Sequence, residues 1–461
     1  MSTTEEVAPA MPARRGRWID HWEPEDPIFW GQTGRRVARR NLWASVFAEH
    51  IGFSIWTVWS TLVLFMGPAY HIDAAGKFFL VALPSLVGGL VRIPYTMAPA
   101  RFGGRNWTIV SALLLLVPTV LAITVIHPGT PYGTFLVVAA LGGLGGGNFA
   151  SSMVNINAFF PEGQKGWALG LNAGGGNIGV PVMQLLGLLV IATVGAAYPR
   201  LVLVVYVPLI IVAAVWAALS MDNISSLSND TGAIREAIRE RQTWVVSFLY
   251  IGSFGSFIGY SFAFGLVLQT QFGRTPLQTA SVVFLGPLIG SVMRPIGGWL
   301  ADRFSGAKVS LITYVGMALA TGLVIVASQQ KSLALFTTGF ISLFVLSGIG
   351  NGSTYKMIPS IFNVKARAAI AFGEPSQSAF MRARRLSGAV IGIAGSIGAI
   401  GGLLINLAFR QSFLTTKSGV PACWSFLVFY ALCVVVTYVV YLRRKPTTVR
   451  SEGAQLAYAR V

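Results

Sequence analysis

Two arginines stand inside helix-length apolar stretches of this sequence. Arg92 lies in Leu83-Pro-Ser-Leu-Val-Gly-Gly-Leu-Val-Arg92-Ile-Pro-Tyr95 and Arg294 in Leu285-Gly-Pro-Leu-Ile-Gly-Ser-Val-Met-Arg294-Pro-Ile-Gly-Gly298. An arginine near the middle of a bilayer costs roughly 3 to 17 kcal/mol depending on how it is measured, so each is expected to face a cavity and an anion. A guanidinium is planar and donates in parallel, which suits a small flat oxyanion better than a lysine would. The two stretches also repeat one pattern: a Gly four residues before the arginine (Gly88, Gly290), a Pro just after (Pro94, Pro295), and an Arg-Phe pair beyond (Arg101-Phe102, Arg303-Phe304). Two related halves therefore each supply one arginine.

Three further polar residues in apolar surroundings are candidates. Asn177, within Gly170-Leu-Asn-Ala-Gly-Gly-Gly-Asn177-Ile-Gly-Val-Pro181, is either a satisfied interhelical amide or a donor to a ligand. Glu49 shares a helix face with Phe53 at the i, i+4 spacing. It either neutralises Arg39 or Arg40 near a helix end or is a protonatable group lining a pathway. Lys356 either snorkels to a membrane face or adds positive charge to that pathway.

The elements that must position these residues are read from composition and periodicity. The 461 residues are 54% hydrophobic and 11% charged, with a mean hydropathy of +0.66, which makes this an integral membrane protein. Apolar runs long enough to cross a bilayer are predicted near 42–68, 77–100, 107–127, 133–159, 166–192, 200–220, 243–270, 276–302, 308–328, 333–362, 386–409 and 422–442. The expected fold is an all-α membrane protein of twelve transmembrane helices in two pseudo-symmetric six-helix halves. Its parts are an N-terminal arm over 1–41, bundles over 42–220 and 243–442, a connector over 221–242 and a tail over 443–461.

The net charge of +18 raises nucleic acid as a partner, but the distribution argues against it. All but nine of the 34 lysines and arginines fall in the arm, alternate loops and the tail; the nine are Lys77, Arg200, Arg274, Lys331, Arg410 and Lys417 in the opposite loops and Arg92, Arg294 and Lys356 within spans. That asymmetry predicts a multi-pass protein of the cytoplasmic membrane with both termini cytoplasmic. The arm has no short apolar core of a signal peptide, so the first span is expected to direct insertion. Within the arm, Trp22 to Trp30 followed by Arg35, Arg36, Arg39 and Arg40 reads as an aromatic and basic membrane anchor. The connector repeat Ala233 to Glu240 predicts a short surface helix with i, i+4 pairing.

Cys423 and Cys433 share the last span and the four histidines are scattered, so no cofactor or metal is expected. No Ser-His-Asp, Cys-His or close carboxylate set shares a span or loop, which argues against an enzyme. An oxyanion site at the midplane of a two-fold molecule is where transporters of this build hold substrate. Nitrate, nitrite, bicarbonate and carboxylates such as formate fit the arginines equally at this stage; a transporter-like nutrient sensor is disfavoured because no signalling domain is appended.

The segments Ala100-Arg-Phe-Gly-Gly-Arg105 and Ala301-Asp-Arg-Phe-Ser-Gly-Ala-Lys308 resemble the loop between the second and third helices of each half of a major facilitator superfamily transporter. The second copy keeps an acid, Asp302, where the first has Ala100, so any gating ion pair there should be stronger in the C-terminal half. Nearly the whole chain further resembles the nitrate/nitrite porters of that superfamily, NarK/NarU type. The likeness rests on Pro24-Glu-Asp-Pro-Ile-Phe-Trp30, Ala38-Arg-Arg-Asn-Leu-Trp43, Leu83 to Tyr95, Phe102-Gly-Gly-Arg105, Gly147-Asn-Phe-Ala-Ser-Ser-Met153, Ala168 to Gly179, Ser253-Phe-Gly-Ser-Phe-Ile-Gly259 and Gly352-Ser-Thr354.

The resemblance implies a transporter of nitrate and nitrite, acting as a monomer in the lipid bilayer. It implies that Arg92 and Arg294 clamp the substrate, that Asn177 and Tyr250 add hydrogen bonds, and that Phe53, Phe149 and Phe254 wall the pocket. The chain departs from the bacterial exchangers at Ala48-Glu-His50, where they are apolar. A protonatable Glu49 would permit nitrate/proton symport, the favoured expectation; nitrate/nitrite exchange is the alternative.

Overall fold

A computed structural model describes residues 13–14, 17–227 and 231–443. The tail expected over 443–461 lies outside the described residues apart from Arg443. Because lipid offers no partner to a bare peptide group, spans must close their own backbone hydrogen bonds, and helices do so. Eleven described helices are long and apolar enough to cross a membrane: Ala74–Phe102, Gly104–Val125, Tyr132–Phe159, Glu162–Val194, Arg200–Ser220, Arg241–Phe272, Pro276–Phe304, Gly306–Gln329, Leu333–Ala371, Ser376–Thr416 and Val420–Leu442. They match the second to twelfth expected spans.

The first span is the 31-residue helix Arg35–Phe65. It is less apolar because other helices, and not lipid, surround it: every residue from Ile51 to Phe65 is buried. The seventh span is likewise interior, with 94% of its apolar window buried. The ninth turns Ile312 and Leu319 outward at 70% and 72% exposure, as a lipid-facing helix should. Across the two halves the second span packs along the eleventh, the fifth along the eighth, and the first along the seventh. Under the sequence repeat the first two contacts are one contact made twice. Phe78 stacks on Phe409 and Phe413 with centroids 5.4 and 5.1 Å away, closing the halves together on the face opposite the connector.

The repeat persists in backbone detail. Gly103 and Ser305, at matching places after the Arg-Phe pairs, end their helices at φ 88° and 85°. Glycine adopts that conformation freely, whereas a side chain there costs on the order of 1 kcal/mol. Ser305→Gly is expected to raise the unfolding midpoint in detergent by roughly 1–2 °C, read by intrinsic fluorescence; an unchanged or lowered midpoint would remove the strain argument.

Several peripheral expectations need correction. The tenth and eleventh spans run to Ala371 and start at Ser376, well past the apolar runs over 333–362 and 386–409, because a helix continues beyond the lipid wherever polar groups can hold it. Those extensions are what the connector binds. Glu236 of the helix Thr231–Arg239 bonds Arg382 and Arg385, and Glu240 pairs with Lys365, so these acids reach across to other helices where pairing within the repeat was expected. The arm is not a free membrane anchor. Trp22 packs edge-on against Phe29 and Phe159, Trp30 is buried against Phe160, and Trp18–Ile19 forms a parallel bridge with Asn223–Ile224. Its aromatics found a protein surface, the end of the fourth span, before they met lipid.

Lys356 extends out of its span to Asp302, 2.9 Å away with both side chains about half exposed, so it snorkels and adds no charge to the interior. This ion pair joins the tenth span to the loop that kept its acid, and Ala100 has no carboxylate to form its counterpart.

Candidate anion site

Arg92 and Arg294 come from symmetry-related helices and meet at the centre of the molecule, 1% and 7% exposed. Both guanidiniums lie over one ring. The Arg92 guanidinium carbon is 4.8 Å from the Phe149 centroid and that of Arg294 is 5.8 Å from the same centroid. Phe254 and Trp56 flank Arg92 at 5.1 and 5.3 Å, and Tyr355 flanks Arg294 at 5.6 Å. Phe53 closes the wall behind Phe149, 6.0 Å between centroids. Ring faces are partly negative, so they hold a desolvated cation in place without neutralising it.

The arginines are held, yet not exhausted. Nε of Arg92 donates to the Gly146 carbonyl at 3.1 Å and Nη1 to the Gly395 carbonyl at 2.7 Å, which ties the second span to the fourth and the eleventh. The glycine-rich eleventh span thus presents a bare carbonyl as well as close packing. Nη2 of Arg92 and Nη1 of Arg294 are buried without a hydrogen-bond partner. Neither nitrogen of such a charged fork belongs in an apolar interior alone, where an unmet donor costs at least 1–3 kcal/mol.

Other buried polar groups are unmet as well. Asn177 is fully buried with both amide atoms unpartnered, which excludes the interhelical hydrogen bond that was one of its two readings. Tyr250 precedes a π-helical turn, Ile251–Gly255, and stacks on Phe254 with centroids 5.3 Å apart. Its hydroxyl donates to Asn351 Oδ1 at 2.7 Å, leaving the Asn351 amide nitrogen and the Tyr355 hydroxyl without partners. All seven residues expected to bind substrate are therefore buried in the core, and the two arginines share the aromatic wall.

Glu49 corrects the reading that placed it near a helix end. The helix begins at Arg35, so at 1.5 Å per residue Glu49 lies roughly 20 Å along it. Arg40 pairs instead with Asp222. The Glu49 carboxylate is fully buried, accepts from Asn172 Nδ2 at 2.7 Å and lies in electrostatic reach of both Arg92 and Arg294. Gly176 makes room for it: a Cβ there would overlap Glu49 Oε1.

Sequence reasoning missed Trp56, Asn172, Asn351 and Tyr355. Asn351 carried a signal, being an amide among glycines like Asn177, in the tenth-span position that the repeat matches to Phe149. Trp56 and Tyr355 carried none, since aromatics are ordinary in apolar helices.

Comparison with known proteins follows the same lines. Residues 42–406 match the family model described as Major Facilitator Superfamily. The "Nitrate/nitrite transporter NarU" of Salmonella typhimurium is 38% identical over 454 residues, 93% of this chain and 97% of its own. That of Escherichia coli is 37% identical over 450 residues, 92% and 96% of the two chains. A Thermus thermophilus protein named "Probable nitrate/nitrite antiporter NarK2" is 31% identical over 463 residues, 94% and 98%.

Proposed function

Because this chain belongs to the nitrate/nitrite porters of the major facilitator superfamily, we propose that it is a secondary transporter of nitrate and nitrite in the cytoplasmic membrane, both termini inside. Substrate is held at the centre, between Arg92 and Arg294, and each side of the membrane gains access in turn. The observation that carries this reading is the pair of unmatched guanidinium N–H groups, one from each half, over a single phenylalanine ring. A nitrate or nitrite lying between them gives each fork an oxygen. Asn177, Asn351 and Tyr355 are the unmet groups available to a third. The rings of Phe149, Phe254 and Trp56 crowd the Arg92 guanidinium, and Phe53 packs behind Phe149, which favours a small flat ion.

One anion shared by arginines of both halves also explains alternation. Bringing the halves together around two bare cations is unfavourable, and an anion between them removes the penalty. Glu49 adds the coupling. Unloaded, with Glu49 ionised, the site has two guanidiniums and one negative charge; loaded, with Glu49 protonated, it again has two guanidiniums and one negative charge. Those two states are the crossing legs of a nitrate/proton symport. Exchange of nitrate for nitrite is the second reading, favoured by the name of the Thermus relative.

Uptake of labelled nitrate into proteoliposomes tests the substrate assignment, with nitrite, chlorate and formate as competitors. Nitrite is expected to compete strongly and formate weakly; formate competing as well as nitrite would reassign the cargo. Omitting internal nitrite and varying an inward proton gradient tests the coupling, since uptake indifferent to the gradient ends the symport reading. Gly176→Ala should displace the Glu49 carboxylate and cut gradient-driven uptake about tenfold in the same assay; wild-type coupling in that variant would show that the glycine does not serve Glu49.

A further inference from the structure

Glu49 also lines a small, partly open cavity bounded by the first, third and fourth spans. It is lined by Glu49, Ser45, Ser111, Asn148, Ser151 and Ser152, among others, and is large enough for a water molecule. Six of its eight lining residues carry a hydroxyl or an amide, Thr108 included. Asn148 is 3% exposed and neither its Nδ2 nor its Oδ1 has a partner. Two such buried groups are costly unless something small and polar bridges them. Ser45 and Ser152 hydroxyls lie 2.8 Å apart, and Asn172 Nδ2 reaches both Ser152 Oγ at 2.6 Å and Glu49 Oε2 at 2.7 Å. A continuous polar line therefore runs from the cavity to the carboxylate.

We propose that this cavity is a proton-release site: a water held by Asn148 and the serines takes the proton of Glu49 and passes it toward the connector face, by a route separate from the anion's. The proposal rests on the symport reading. In the step the carboxyl O–H bond breaks, the proton adds to water, and the carboxylate left behind stays opposite its cationic neighbours. The charged or titratable groups in electrostatic reach of Glu49 are Arg92 of the second span, Arg294 of the eighth and Tyr355 of the tenth. The other residues that line the cavity are all neutral. Ser45, Thr108 and Ser111 lie in the halves of the first and third spans on the connector side, which sets the direction of release.

The test is Ser111→Val with Ser151→Val, which replaces two hydroxyls of the cavity with methyls and leaves both arginines and Glu49 unsubstituted. In proteoliposomes, gradient-driven net nitrate uptake is expected to fall at least tenfold, while nitrate/nitrate counterflow, which needs no net proton release, stays within twofold. Equal loss of both, or of neither, overturns the cavity route. A wild type indifferent to the gradient overturns the symport reading itself and is thereby distinguished. As a second measurement in detergent, deuterium exchange of the infrared carboxyl band that Glu49→Gln removes should slow at least tenfold in Ser151→Val; unchanged exchange also overturns the route.

Discussion

Arg92→Lys is expected to lower nitrate flux at least a hundredfold while the protein still reconstitutes as a monodisperse species with a near-native unfolding midpoint. The substitution keeps the positive charge and removes the fork. Arg92 makes two backbone bonds, to Gly146 and Gly395, and still has Nη2 to offer. A lysine has one nitrogen at the end of a shorter reach, so binding the carbonyls leaves the anion unmet and binding the anion leaves the carbonyls unmet. Losing one partner of a desolvated charged contact costs about 2–5 kcal/mol, and a hundredfold in flux corresponds to roughly 3 kcal/mol at 1.4 kcal/mol per decade. Arg294→Lys should behave alike, because its open Nη1 plays the same part from the other half. Flux within threefold of wild type in either variant would mean that simple charge is enough and that the fork does not hold the ion.

The second large effect is expected of Glu49→Gln. Glutamine preserves the shape and can accept from Asn172 through its carbonyl oxygen, so the helix contacts survive. What disappears is the proton site and its negative charge. Gradient-driven net uptake should fall at least tenfold, because the empty site would then carry two cations with no counter-charge and could not return. Exchange of nitrate for nitrite, in which the site is never empty during crossing, should persist within about twofold. Loss of both activities would assign Glu49 to folding or binding, and retention of both would leave the carboxylate without a role in transport.

What was legible in the sequence followed from cost. Arg92 and Arg294 stood out because nothing but a partnered site explains a guanidinium in a helix of leucine, valine and glycine, and the repeat around them gave the two halves. Asn177 stood out for a weaker version of the same reason, and its two readings could be separated only by seeing that no neighbouring helix meets its amide. One of the two readings of Glu49 put it near an end because the apolar run was taken for the whole helix: Arg35 to Asn41 continue it by two turns, sinking Glu49 into the core. Trp22 and Trp30 were given to lipid because hydropathy cannot say which apolar surface an aromatic will meet. Tyr355 and Trp56 were illegible altogether, since only the convergence of separate helices makes them walls of a site.

The central claim is that both arginines grip the same ion, and a double-mutant cycle on nitrate binding tests it most directly. Nitrate affinity would be measured calorimetrically for wild type, Arg92→Lys, Arg294→Lys and the double variant. Groups sharing one ligand are coupled, with interaction energies of about 0.5–3 kcal/mol, whereas independent sites add. The account predicts one nitrate per chain and a double variant scarcely weaker than either single one. Losses that add in full, or two nitrates bound independently, would contradict it.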